Sequence, residues 1–202
     1  MKKECDFDMT QDFFSAKRVD DIAVVTFRQN LLQHAIDLQA KTSLFDCLDA
    51  ISRNDVVKSV LIMGSPRKTG REEYVEFYHQ LLESKMDRVA IHRLYNAVDQ
   101  YILKIVGLNK MVIHSDSGKV ISLFMNTSLA CDYRIVADNT VFQNPYLELS
   151  LVPKGGGAFF LSQMLGRSKA FEILLSGKDI TAQEAAELGI LDKVVPLPQL
   201  DK

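Results

Sequence analysis

The sequence predicts an α/β fold, and three observations carry the prediction. Short runs dense in Val and Ile, "IAVVTF" (22–27), "SVLIMG" (59–64) and "KMVIHS" (110–115), are bounded by polar, glycine or proline residues, as buried strands are. Segments of helical periodicity lie between them, and after "CDYRIVADN" the chain turns helical, with glycines closing its segments. Strands alternating with helices make an α/β layer structure, and 202 residues suffice for one compact domain with a sizeable core.

Taken in order, the start "MKKECDFDMTQDFF" has two lysines but no apolar run behind them, so it does not read as a signal peptide. No window approaches the roughly 20 apolar residues of a membrane helix, and a cytoplasmic protein with no membrane partner is expected. In "HAIDLQAKTSLFDCLDAISRN" Leu44, Leu48 and Ile51 recur at helical spacing and predict an amphipathic helix. "REEYVEFYHQLLESK" predicts a helix with a solvated face. "DRVAIHRLYNAVDQYILKIVG" carries a stripe of Ile91, Leu94, Val98, Tyr101, Ile102 and Ile105 stopped by Gly107. "GGGAFFLSQMLG" and "RSKAFEILLSG" each end on glycine, and "DITAQEAAELG" holds a capping box at Thr181 and Glu184 with Gly189 as C-terminal cap.

The apolar share of 47% and charged share of 25% are those of an ordinary globular protein. A net charge of −2 argues against a nucleic-acid partner, which needs a clustered basic surface. Cys5, Cys47 and Cys131 form no CxxC pair and are odd in number, so free thiols are expected. His34, His79, His92 and His114 lack metal-ligand spacing, so no metal is expected. "PKGGG" (153–157) is not a P-loop, because no G-K-[ST] follows.

From about Ile22 to Pro196 the chain resembles the crotonase superfamily, also called the enoyl-CoA hydratase/isomerase family. The most specific run is "LACDYRIVADNTVFQNPYLELSLVPKGGGAFFLSQMLGRSKAFEILLSGKDITAQEAAELGILDKVVP". It is similar to the family's A-C-D-x-R-I-A signature, F-x-x-P-E, L-G-x-x-P-x-G-G, V-G-R-x-x-A and A-x-E-A-x-x-L-G-L, in that order. The resemblance implies a crotonase-like spiral of repeated β-β-α units with a helical C-terminal part. It implies a single domain over 1–202, with a spiral core at about 20–165, a helical part at about 166–202 and without the usual C-terminal extension. It also implies an acyl-CoA thioester as substrate, no further cofactor, and a homotrimer or hexamer.

The chemistry implied is stabilisation of an enolate-like thioester oxygen by two backbone N–H groups, one at a helix N-terminus, with carboxylates moving protons. The first oxyanion loop falls on "GSPRKTGRE", where Gly64 and Gly70 match family glycines. Arg71 takes the place of the N–H-donating alanine, and Gly70, Arg67 and Lys68 are the expected CoA-binding residues. The second element falls on "GKVISLFMN": Gly118 matches, Ser122, Leu123 and Phe124 replace three glycines, and Leu123 takes the second N–H position. Its Cβ is expected to narrow the acyl tunnel.

Both family glutamates are replaced, one by Asn126 and the other by Tyr146 of "FQNPY". Neither is a good base at neutral pH without help, so hydration by the two-glutamate route is not expected. Tyr146 as proton donor and Asn126 as hydrogen-bond donor are the catalytic candidates, with Glu148, Asp116 or His114 as base. Each of these three also has an ordinary reading, as a surface acid, a turn-former and a core histidine. Asp132 is expected to be buried and hydrogen-bonded. Three readings stand: an acyl-CoA lyase or isomerase with non-standard acid/base residues, an inactive crotonase-fold binding protein, and an assembly partner.

Overall fold

The computed structural model describes residues 7–28, 34, 37–65, 70–83 and 88–200. Among these, backbone hydrogen bonds sort ten strands into two sheets. The larger joins β1 (Met9–Thr10), β2 (Phe14–Val19), β3 (Ile22–Phe27), β4 (Ser59–Met63), β5 (Met111–Asp116), β7 (Tyr133–Ala137) and β10 (Lys193–Val195) in the order β1-β2-β3-β4-β5-β7-β10. The smaller joins β6 (Lys119–Ile121), β8 (Val141–Gln143) and β9 (Ile180–Thr181) in the order β6-β8-β9. From β3 to β10 the large sheet is parallel, so its strands are buried and read as apolar runs.

Seven α-helices are described: α1 (Leu38–Arg53), α2 (Arg71–Glu83), α3 (Arg88–Val106), α4 (Ser122–Ala130), α5 (Gly157–Leu165), α6 (Arg167–Ser176) and α7 (Ala182–Glu187). The chain leaves β5 for β6 in the small sheet, crosses through α4, returns to β7 and leaves again for β8 beside β6. That repeated excursion is the β-β-α spiral, and it separates this architecture from an open doubly wound sheet.

Local chemistry explains the elements. The Asp37 carboxylate caps α1 by accepting from the N–H groups of Gln39 and Ala40, and Leu44, Cys47, Leu48 and Ile51 turn inward against Val25, Val60, Ile62 and Val112. The capping box of α7 is present in both directions. Gly189 follows in the left-handed region at φ +81, which a side chain resists. A second core gathers Val120, Met125, Leu129, Val136, Phe142 and Leu161 under the helical part.

Two expectations are amended. α2 does present Glu72, Glu73 and Glu76 outward, but Tyr74 and Tyr78, one turn apart, are buried. Asp132 is exposed: it precedes β7 at the end of the sheet, where its Oδ2 accepts from Val112 N at 2.8 Å without being enclosed. Among the described residues no helix is long and apolar enough to cross a membrane.

Candidate functional site

The small sheet brings two helix starts together. Ile121 ends β6 in an extended conformation and α4 begins at the next residue without a side-chain cap, so the first-turn N–H groups, that of Leu123 among them, lack intrahelical acceptors. In the parallel pairing of β6 with β8, Ile121 lies opposite Gln143. Gln143 then reaches to the start of α2, where its Oε1 accepts from Arg71 N at 3.0 Å. Its Nε2 donates to Asp179 Oδ2 at 3.1 Å. The N-termini of α2 and α4 thus flank one glutamine, and both dipoles present positive ends there.

Gly70 is buried beside this contact, and a Cβ on it would meet Lys119 Cδ at 3.1 Å and Gln143 Oε1 at 3.6 Å. The Arg71 guanidinium is committed elsewhere. It pairs with Glu148 at 3.4 Å and with Asp179, and donates to Gly177 O at 3.4 Å. Two carboxylates on one cation make this rim unsuited to a phosphate. Arg67 and Lys68 lie outside the described residues, as does Cys5.

Asn126 sits one turn into α4, is 4% exposed and donates through Nδ2 to Lys154 O. Gly155 and Gly157 press against it; a Cβ on Gly155 would stand 2.8 Å from Asn126 Nδ2, and Gly155 also needs φ +73. Tyr146 follows β8 and is 3% exposed. Asn126 and Tyr146 line one cavity of about 20 Å³ together with Met125, Gln143, Asn144 and Leu161, room for about one water. Among the described residues no carboxylate lines it.

A group of phenols lies beside this cavity. Tyr74 and Tyr78 approach with ring centroids 6.3 Å apart, the Tyr78 and Tyr95 hydroxyls are hydrogen-bonded, and Lys154 Nζ lies 5.4 Å from the Tyr95 ring centre. Burial, followed by the neighbouring Tyr146, pushes the Tyr74 hydroxyl well above its ordinary pKa; burial and the Tyr78 hydrogen bond do the same for Tyr95. Both are neutral donors at physiological pH. Tyr74 and Tyr78 were readable from their i, i+4 spacing in "REEYVEFYHQ", whereas nothing local marks Gln143, which acts on a residue 72 positions away.

Of the candidate bases, Glu148 is exposed and paired with Arg71. His114 and Asp116 are buried at the C-terminal end of β5, with Nε2 and Oδ2 3.8 Å apart. Asp116 Oδ1 also accepts from Ser117 N at 2.8 Å before Gly118, whose φ of 68 makes the turn. Neither belongs to the cavity wall among the described residues.

The spiral fold and this arrangement of helix starts define a crotonase-type protein, and the family profile described as Enoyl-CoA hydratase/isomerase matches residues 17–202. The chain belongs to the enoyl-CoA hydratase/isomerase family. It is 25% identical to the Bacillus subtilis protein YhaR over 171 residues, 85% of this chain and 65% of that one. It is 24% identical to the trans-2-decenoyl-(acyl-carrier-protein) isomerase of Streptococcus mutans over 90% of this chain and 68% of that one. Its fold matches that of an enoyl-CoA hydratase from Bacillus anthracis with a TM-score of 0.80, at 21% identity over 94% of this chain and 72% of that one. The chain spans about two thirds of the length of the curated relatives YhaR and the decenoyl isomerase.

Proposed function

We propose that this protein binds an acyl-CoA thioester with its carbonyl oxygen between the backbone N–H groups of Leu123 and Arg71 and its acyl group beside Tyr146 and Asn126. The observation that supports this reading is the convergence of the α2 and α4 N-termini on Gln143, next to the Asn126–Tyr146 cavity. An enolate oxygen forming there meets preorganised N–H donors and two positive helix ends. In a lyase the enolate takes its electron pair from the carbon–carbon bond that breaks, and Tyr146 gives the proton that ends on carbon while Asn126 gives a hydrogen bond. In an isomerase the base that takes the first proton lies outside this wall, which holds no carboxylate among the described residues. A cavity of about 20 Å³ favours short or flat acyl groups over long ones. The protein works in the cytoplasm as a homotrimer or hexamer, without metal, nucleic acid or membrane.

The same small cavity favours a second reading, a crotonase-fold protein that is catalytically inactive and serves as a binding or assembly partner. Calorimetry with acetyl-, crotonyl- and palmitoyl-CoA, with an assay for isomerised or cleaved product, separates the two. Micromolar binding of the short thioesters together with turnover supports the first, and binding without turnover supports the second. Failure of all three below about millimolar, a loss of roughly 4 kcal/mol, leaves the second.

A further inference from the structure

The Arg71 N–H proposed for the thioester oxygen is already in use by the chain. Its partner is the side-chain carbonyl of Gln143, whose Oε1 lies 3.0 Å from Arg71 N. The amide end of Gln143 is fixed from the other side by Asp179 Oδ2 at 3.1 Å, and Asp179 is itself ion-paired to the Arg71 guanidinium. The result is a ring: Arg71 N–H to Gln143, Gln143 to Asp179, Asp179 to Arg71. Gly70 leaves space for it, since even a Cβ at that position would stand 3.6 Å from Gln143 Oε1. On the other face Gln143 borders the cavity with Asn126 and Tyr146.

A carbonyl oxygen on a helix-terminal N–H, at the mouth of a cavity proposed for a thioester, is what a bound acyl group would supply. We infer that Gln143 is a resident stand-in for the ligand carbonyl, a gate that an acyl thioester must displace; the inference rests on the thioester reading above. An amide oxygen is a stronger acceptor than a thioester oxygen, because nitrogen donates its lone pair to the carbonyl more effectively than sulfur does. A thioester therefore gains little by exchanging places with Gln143, and the gate lowers affinity for every acyl-CoA. It has no such effect on free coenzyme A, which has no carbonyl at that point to compete for the N–H.

The test compares crotonyl-CoA with free coenzyme A on the wild type, Gln143→Ala and Gln143→Met by calorimetry. Methionine keeps the length of the side chain and removes the carbonyl. The expected result is tightening of crotonyl-CoA by about three- to tenfold in both variants, the worth of one net hydrogen bond. Free coenzyme A should stay within about twofold, well under one hydrogen bond. Wild-type binding of crotonyl-CoA with no gain in either variant overturns the gate and leaves the thioester reading standing. Gain in alanine alone means bulk excludes the ligand, which overturns competition for the Arg71 N–H. Equal gain for free coenzyme A means only that the mouth has opened, and it too overturns the gate. Absence of crotonyl-CoA binding in all three proteins removes the thioester reading and the gate with it.

Discussion

Gly157 stands so close to Asn126 that a Cβ built on the glycine lies 2.5 Å from the Asn126 Oδ1. The amide cannot simply turn away, because its Nδ2 is held by Lys154 O. Gly157 opens α5, where alanine would favour the helix by up to about 1 kcal/mol. Against that, losing a buried amide hydrogen bond or straining the packing costs about 1–3 kcal/mol. Gly157→Ala should therefore destabilise the protein by about 1–2 kcal/mol in urea unfolding. An unchanged midpoint would mean that Asn126 has freedom to rotate and is not held in place by the glycine turn.

Hydration of crotonyl-CoA should be negligible. Among the described residues the cavity wall offers Asn126, Gln143, Asn144, Tyr146 and Lys178 as polar groups and no carboxylate. Loss of a positioned acid or base is worth about 10²–10⁴-fold per group. Following the absorbance of the enoyl thioester at neutral pH checks this. A turnover of about one per second, ordinary for enzymes, would place the catalytic groups elsewhere.

The fold was legible in the sequence because it is written in local periodicity. The runs at 22–27, 59–64 and 110–115 fall on β3, β4 and β5, α4 begins at Ser122, and the Thr181–Glu184 capping box closes as read. The family landmarks placed Gly70 and Arg71 at one helix start and Leu123 and Asn126 at another, and those positions do stand just before and at the start of α2 and in the first turns of α4; their roles in a site remain the proposal. What the sequence hid are contacts between distant residues. Arg71 meets Gln143, Glu148 and Asp179 at separations of 72, 77 and 108 residues, and no periodicity encodes those encounters. Asp132 departs from expectation because a hydrogen bond does not entail burial, and the end of a sheet supplies the first without the second.

Alkaline pH should unfold the protein through its buried thiols and phenols. Burial, with Asp8 second, pushes Cys47 from 9.0 up to about 12, and burial raises Cys131 to about 12 despite the opposing Arg134. A folded-state pKa above the unfolded one gives stability that is complete below about pH 9. That stability falls as pH rises towards 12, because only the unfolded chain sheds its protons. The slope is about 1.4 kcal/mol per pH unit for each thiol, and Tyr74, Tyr95 and Tyr101, also raised by burial, add to it above pH 10.0. Urea midpoints measured from pH 7 to 11 should be flat and then fall. The double variant Cys47→Ala, Cys131→Ala should fall less steeply, and equal slopes would refute the assignment.

Self-assembly is the fourth expectation. Phe159, Phe171 and Leu175 on α5 and α6 are 62%, 52% and 61% exposed, more large apolar surface than two adjacent helices usually leave in water. The proposed homotrimer or hexamer should appear in sedimentation at micromolar concentration, and Phe159→Asp with Phe171→Asp should shift it towards monomer. A wild-type monomer at that concentration removes the proposal.

The backbone and the side chain of Arg71 can be tested apart because of where the residue stands. It is the first residue of α2, and proline is tolerated at that position because its missing N–H has no intrahelical acceptor in any case. Gly70 before it carries no Cβ, which eases the clash that a following proline makes with the preceding residue. Arg71→Ala removes the guanidinium and its pairs with Glu148 and Asp179 but keeps the N–H; with the Arg71 side chain 28% exposed, solvent screening limits the stability change to about 1 kcal/mol or less. Arg71→Pro removes both the guanidinium and the N–H. If the N–H holds the thioester oxygen, Arg71→Ala should bind crotonyl-CoA as well as the wild type or better, since the ring that fixes Gln143 is broken. With Gln143→Ala added to both, so that no resident carbonyl competes for the N–H, Arg71→Pro should bind about three- to tenfold more weakly than Arg71→Ala, the loss of one net hydrogen bond. Calorimetry on both variants, with circular dichroism to confirm that α2 still forms, decides it. Equal affinities in that background would show that this amide does not meet the thioester.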